Sequence, residues 1–130
     1  MRSRLARLIY VDDDVNLREL ARVVLSQDVD LTVCTASSGP EAVGQALRDR
    51  PDLILLDVGM PDVDGPATLV LLRSHPELTS VPVVFVTARA MEQEVKWLRS
   101  LGVADVISKP FDPRTLLSQV REIWASNGAG

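Results

Sequence analysis

Three stretches of this chain are apolar without interruption: Leu8-Ile9-Tyr10-Val11, Leu53-Ile54-Leu55-Leu56 and Val83-Val84-Phe85-Val86. A strand with one wet face alternates apolar and polar residues, so an unbroken run must be covered on both faces, which is the signature of a parallel sheet between helices. The first run is followed by Leu17, Leu20, Ala21 and Val24, spaced as one face of a helix. Leu31-Thr32-Val33-Cys34-Thr35 reads as a second strand, after which Gly39-Pro40-Glu41 opens a helix with inner face Ala42, Val43, Ala46 and Leu47. A short helix marked by Leu69 and Leu72 follows Gly65-Pro66. Met91, Val95 and Leu98 stripe a fourth helix that Gly102 can end in a left-handed cap. Val106-Ile107 is the fifth strand, and Asp112-Pro113 supplies an N-cap and first-turn proline for a last helix with face Leu116, Val120, Ile123 and Trp124. The prediction is α/β: a doubly wound, five-stranded parallel sheet in the order 2-1-3-4-5, flanked by five helices. In such a sheet ligands bind beyond the carboxyl ends of the strands, at the switch point between strands one and three.

At 130 residues the chain is sized for one domain, expected over 1–125, with the terminal SNGAG at 126–130 as a flexible tail. A net charge of −4 and no basic stripe argue against a nucleic-acid partner. The apolar run behind MRSRLAR stops at Asp12, too short for a signal-peptide core or a membrane span, so a soluble, cytoplasmic protein is expected. The single cysteine, Cys34, lies in LTVCTA as a small apolar residue of a strand.

The predicted strand ends carry the chemistry. Strand one ends in Asp12, Asp13 and Asp14, strand three in Asp57, strand four in Thr87 and strand five in Lys109. Clustered carboxylates raise one another's pKa unless a cation joins them, and hard oxygen donors suit Mg²⁺. The charges then balance: three aspartates against one Mg²⁺ and Lys109. Asp14 is read as the N-cap of the first helix. Asp12 and Asp13 exceed what a cap needs, and Asp57 ends a buried central strand, where an unpaired charge is costly. Thr87 reads equally as a cap of Ala88-Arg89 or as a site residue. Lys109 is one of only two lysines among 14 basic residues, which points to a place where a compact charge on a flexible stem is wanted. Ser26, Ser37, Ser38 and His75 form no hydrolytic triad; His75 falls in a turn at the opposite rim, and no glycine-rich nucleotide loop occurs.

The motifs YVDDD (10–14), LLDVGMPDVDG (55–65), FVTA (85–88) and SKPF (108–111) together resemble the receiver domain of two-component response regulators, a flavodoxin-like fold, over nearly the whole chain. The resemblance implies that Asp57 is a phosphoacceptor served by a sensor histidine kinase or a histidine phosphotransfer protein. It implies Mg²⁺ held at Asp12, Asp13 and Asp57, with Asp13 a direct ligand and the Gly59 backbone carbonyl another. Thr87, Ala88 and Lys109 would bind the phosphoryl group, with Thr87 as the switch hydroxyl, and the residues at Gly59 and Arg89 would tune its lifetime. Glycine brings no side chain to that task, so Arg89 is expected to matter more. Val106 stands where many receivers carry a mobile aromatic ring. Trp97 falls outside the stripe of the fourth helix beside Lys96, so Lys96, Trp97 and Val106 form a possible partner face across the fourth helix, fifth strand and fifth helix, for an effector domain or a homodimer. A tryptophan ring lying flat over its neighbours is the equal alternative. The function expected is a signalling switch with at most slow self-dephosphorylation. A phosphorylation-independent docking scaffold is the alternative, and an aspartyl phosphatase is disfavoured because it would want an aspartate where Gly59 stands.

Overall fold

A computed structural model describes residues 4–127. Five parallel strands, β1 (Arg7–Val11), β2 (Thr32–Ala36), β3 (Leu53–Asp57), β4 (Val83–Thr87) and β5 (Asp105–Ser108), form one sheet in the order β2-β1-β3-β4-β5. The helices are α1 (Val15–Leu25), α2 (Gly39–Arg48), α3 (Gly65–Arg73), α4 (Glu92–Arg99) and α5 (Leu116–Ser126). The unbroken apolar runs are the three central strands, and every residue of β3 and β4 is buried.

Strand alternation divides those residues between two cores. Leu8, Tyr10, Leu55 and Val86 pack with Ala21, Val24, Leu25 and the α5 face of Leu116, Val120, Ile123 and Trp124. Ile9, Val11, Leu56 and Phe85 pack on the other side with Ala42, Ala46, Leu69, Leu72 and Leu98. At about 1.5–3 kcal/mol for each fully buried large apolar side chain, this double-sided burial makes the strand ends rigid mounts. Register then places the site. Val11 pairs with Leu56, so the residues just beyond, Asp12 and Asp57, stand side by side. Thr87 pairs with Ser108, and the Lys109 N–H donates to the Thr87 carbonyl at 2.7 Å.

The predicted helix ends are largely observed. Asp14 caps α1 by accepting the N–H groups of Asn16 and Leu17, and Gly102 takes φ +84° after α4. Four details differ from expectation. Leu20 and Leu47 are 38% and 41% exposed, because the apolar stripes of α1 and α2 are wider than the strip each helix lays on the sheet. Met91 is the residue before α4 and is 77% exposed, and of its predicted stripe only Leu98 is buried. The helix packs on β5, a four-residue edge strand, so little sheet lies beneath its first turn. Regular helix α5 begins at Leu116 rather than at Pro113, because Thr115 adopts a non-helical φ of −120°. Residues 113–115 form a turn in which Thr115 and Leu116 donate to the Asp112 carbonyl. At the far end α5 continues through Ser126, and Asn127 Nδ2 donates to the Ile123 carbonyl; residues 128–130 of the predicted tail lie outside the described residues.

Cys34 is half-buried within β2, and His75 precedes a 3₁₀ turn (Pro76–Leu78). Asp52 is a buried carboxylate that the sequence pattern did not single out. Its Oδ2 accepts the N–H groups of Ala6 and Arg7, each at 2.9 Å, and so ties the entry of β1 to that of β3. Among the described residues no helix is long and apolar enough to cross a membrane.

Candidate functional site

Asp57 ends β3 with 5% of its surface exposed, and the chain beyond it is folded tightly back. The N–H of Gly65 donates to the Val58 carbonyl at 2.9 Å. A Cβ at position 65 would stand 2.7 Å from Val58 Cα and 2.8 Å from the Asp57 carbonyl oxygen. Only glycine permits that approach, so Gly65 clamps the loop against the backbone of Asp57. Two donors meet Asp57 Oδ1: Lys109 Nζ at 3.0 Å and the Gly59 N–H at 3.3 Å.

Asp12 is fully buried. Its Oδ1 accepts the Asp14 N–H at 3.0 Å, and its Oδ2 accepts both Lys109 Nζ at 2.9 Å and the Tyr10 hydroxyl at 3.0 Å. Arg18 Nη1 donates to the Asp12 carbonyl at 2.9 Å, holding the turn from outside. Asp13 is exposed, yet one oxygen from each of Asp12, Asp13 and Asp57 lies within 4.8 Å of the others. Three hard anionic donors at that spacing fit one small divalent cation, and Mg²⁺ suits them because it binds through one or two carboxylates and completes its shell with water and phosphate oxygens. Thr87 is buried, with Oγ1 accepting the Arg89 N–H at 3.0 Å. The hydroxyl is therefore a turn acceptor that also lines the cleft.

These groups, with Gly59, Ala88 and Arg89, line one open cleft of about 410 Å³. Burial is the main reason the Asp57 carboxyl stands above the ordinary carboxylate range; Lys109 draws it down, the Asp12 charge pushes it up, and the balance stays upward. For Lys109 burial pulls the ammonium down, but the hydrogen bonds and charges of Asp12 and Asp57 outweigh it and hold the group above its usual value. Tyr10 is pushed far up, first by burial and then by the charge of Asp12, so its hydroxyl remains a neutral donor.

Every residue placed at the strand ends by sequence thus meets in one cleft. Lys96, Trp97 and Val106 lie outside it. Trp97 is 50% exposed and lines an apolar groove between α3 and α4 with Pro66, Leu69, Val70 and Leu101, while Val106 is partly buried against the α2–α4 side of the core. Tyr10 and Arg18 were not expected at the site. The sequence places Tyr10 in an apolar run and in the YVDDD motif without giving it a role, although its parity with Asp12, two residues on and just past the end of β1, puts both side chains on the same side of the sheet.

The sequence pattern of the response regulator receiver domain matches residues 8–121. The chain belongs to the response regulator receiver domain family. Among curated relatives, response regulator PleD of Caulobacter vibrioides is 38% identical over 120 residues, which are 91% of this chain and 26% of PleD. Response regulator Rre1 of Synechocystis is 36% identical over 94% of this chain and 53% of its own length, so this receiver spans about a quarter of the one relative and half of the other. Protein PilH of Pseudomonas aeruginosa is 29% identical and matched over 99% of its length. The solved structure of chemotaxis response regulator CheY4 of Vibrio cholerae superposes with a TM-score of 0.83 at 28% identity, covering 92% of this chain and 99% of that one. The receiver fold and strand order expected from sequence are those observed.

Proposed function

We propose that this receiver is a phosphorylation-dependent switch of a two-component system in which Asp57 accepts a phosphoryl group from a phosphohistidine of a sensor kinase or phosphotransfer protein. The observation that carries the reading is Lys109 Nζ bridging Asp12 and Asp57 inside the cleft that also holds Asp13 and Thr87. A carboxylate oxygen of Asp57 forms the new P–O bond as the P–N bond breaks, and the electron pair leaves with the imidazole. Both donors to Asp57 sit on Oδ1, which leaves Oδ2 for the incoming phosphorus. Asp12, Asp13, Asp57 and the Gly59 carbonyl would hold Mg²⁺, which when bound would supply positive charge against the phosphoryl oxygens. Lys109 follows the negative charge from the carboxylates to the phosphoryl group. Thr87 Oγ1 already accepts one hydrogen bond, so its own proton is available to the same group, as is the backbone at Ala88.

The aspartyl phosphate adds about −1.5 to −2 charge at this rim, enough to bias a segment that follows Thr87. Residues 88–91 lead into an α4 whose N-terminus has no side-chain cap and whose only buried residue is Leu98, which makes the β4–α4 loop the bistable element. With Val106 in place of an aromatic ring, the signal passes through that loop to α4 and to the Lys96–Trp97–Val106 face, where an effector domain or a second receiver docks. Arg89 at the cleft wall governs the access of water and hence the lifetime, since Gly59 opposite has no side chain. The receiver unit, expected over 1–125, extends through the end of α5 at Ser126; its setting is cytoplasmic and its self-dephosphorylation slow.

The test is incubation with Mg²⁺ and acetyl phosphate followed by mass spectrometry. A gain of one phosphoryl group that is lost in Asp57→Asn supports the switch. No gain in the wild type would leave the docking scaffold, which Val106 favours, as the function.

A further inference from the structure

The buried Tyr10 hydroxyl beneath Asp12 has no part in the scheme above. Its ring is fully buried in the core between β1 and α5 and stands edge-on to Phe111, with centroids 6.3 Å apart and planes at 77°. Locked in that way, the hydroxyl donates to Asp12 Oδ2 at 3.0 Å, the oxygen that Lys109 also holds at 2.9 Å. The two donors differ in what they can do next. Lys109 ends a flexible stem with 14% of its side chain exposed, and it moves toward whatever negative charge appears at Asp57. Tyr10 has neither the freedom nor, among the described residues, a second hydrogen-bond partner for its hydroxyl. When the lysine leaves, Oδ2 of a fully buried carboxylate would lose its donors, and the carboxylate would be free to turn, unless the tyrosine remained.

Resting on the phosphoacceptor reading, we propose that Tyr10 is a positioning residue: its hydroxyl holds the Asp12 carboxylate oriented toward Mg²⁺ independently of Lys109, so the lysine can turn to the phosphoryl group without disordering the metal ligands. Phenylalanine at this position would keep the ring and the Phe111 contact and lose only the tether. Hydrogen-bond partners behind a metal ligand typically tune affinity by 10- to 100-fold. The effect here belongs near the low end, because the buried Asp12 carboxylate keeps the Asp14 N–H on Oδ1 and so retains part of its restraint without the tyrosine.

The experiment titrates Mg²⁺ alone into wild type, Tyr10→Phe and Ile123→Ala, following the amide resonances of Asp13 and Gly59 by NMR. Ile123 belongs to the same core cluster but lies near the C-terminal end of α5, so its truncation loosens the core without touching the cleft. Expected is about tenfold weaker Mg²⁺ binding in Tyr10→Phe and unchanged binding in Ile123→Ala. In the acetyl phosphate reaction the half-saturating Mg²⁺ concentration should rise by the same factor, with the rate at saturating Mg²⁺ kept within about twofold. Affinity in Tyr10→Phe within about twofold of wild type, or an equal loss in Ile123→Ala, overturns the proposal. A wild type that binds Mg²⁺ but gains no phosphoryl group sinks the phosphoacceptor reading alone, since the role of Tyr10 is still decided by the Mg²⁺ comparison. A wild type that binds no Mg²⁺ overturns both.

Discussion

Replacing Lys109 by methionine keeps an unbranched stem of similar length and removes the charge between two buried carboxylates. Nζ lies 2.9 Å from Asp12 and 3.0 Å from Asp57, with 14% of the side chain exposed. At an effective dielectric constant of about 20 each contact is worth roughly 5–6 kcal/mol in gross Coulomb terms, most of it offset by desolvation of the ions. Removing one partner of a buried pair costs about 3–5 kcal/mol, because the remaining charge is stranded. The cleft is open to water, so the low end applies: Lys109→Met should lose about 3 kcal/mol, or roughly 10 °C in Tm for a domain of this size. Urea unfolding followed by circular dichroism near neutral pH, with a chelator present, measures it. The loss should depend on pH. The Asp57 carboxyl is already held above its ordinary value by burial, and without Lys109 it rises further, so acidification neutralises the stranded charge and closes the gap between variant and wild type. On the alkaline side the contribution of Lys109, whose native pKa is raised, is present below the ordinary lysine value and disappears as pH rises through the native one. Mg²⁺ enters the same carboxylate cluster and should therefore stabilise the variant more than the wild type. A variant within about 0.5 kcal/mol of wild type at neutral pH, or equal stabilisation of both by Mg²⁺, refutes the reasoning.

Because burial raises the Asp57 carboxyl, its ionisation costs stability as pH rises through the native value, so Asp57→Asn should be more stable than wild type at neutral pH in chelator and equal to it in acid; a less stable variant at neutral pH contradicts this. Gly65→Ala drives a methyl group into the backbone of Val58 and Asp57 and should cost more than about 2 kcal/mol while slowing acetyl phosphate labelling; an unchanged Tm would show that the loop yields. Asp52→Ala strands the N–H groups of Ala6 and Arg7 and should cost about 2–3 kcal/mol in urea unfolding, with Mg²⁺ affinity unchanged because the site lies at the other end of the sheet. Arg89→Ala opens the cleft wall to water and should shorten the lifetime of the phosphorylated form several-fold; an unchanged lifetime removes Arg89 from that role.

What could be read directly from the chain was local in origin. Unbroken runs such as Leu53–Leu56 announce a strand covered on both faces, and five strand–helix units admit few sheet orders. Once the order is 2-1-3-4-5, the ends of β1 and β3 must meet at the switch point, so Asp12, Asp13 and Asp57 were legible as one site, with Thr87 and Lys109 beside them. Helical periodicity found the inner faces but not their width, which is why Leu20, Leu47 and Met91 emerged exposed: how much of a helix is covered depends on the strand beneath it. Asp52, and the closeness of the approach that glycine permits at 65, are not legible in the chain for a related reason. The backbone partners of Asp52 lie 45 and 46 residues away, and the need for glycine at 65 arises only when the loop closes on Val58. Tertiary structure alone decided that Lys109 would bridge two carboxylates and that a core tyrosine would reach one of them from below. Burial pattern is written along the chain, whereas hydrogen-bond partners are chosen by register and side-chain reach across it.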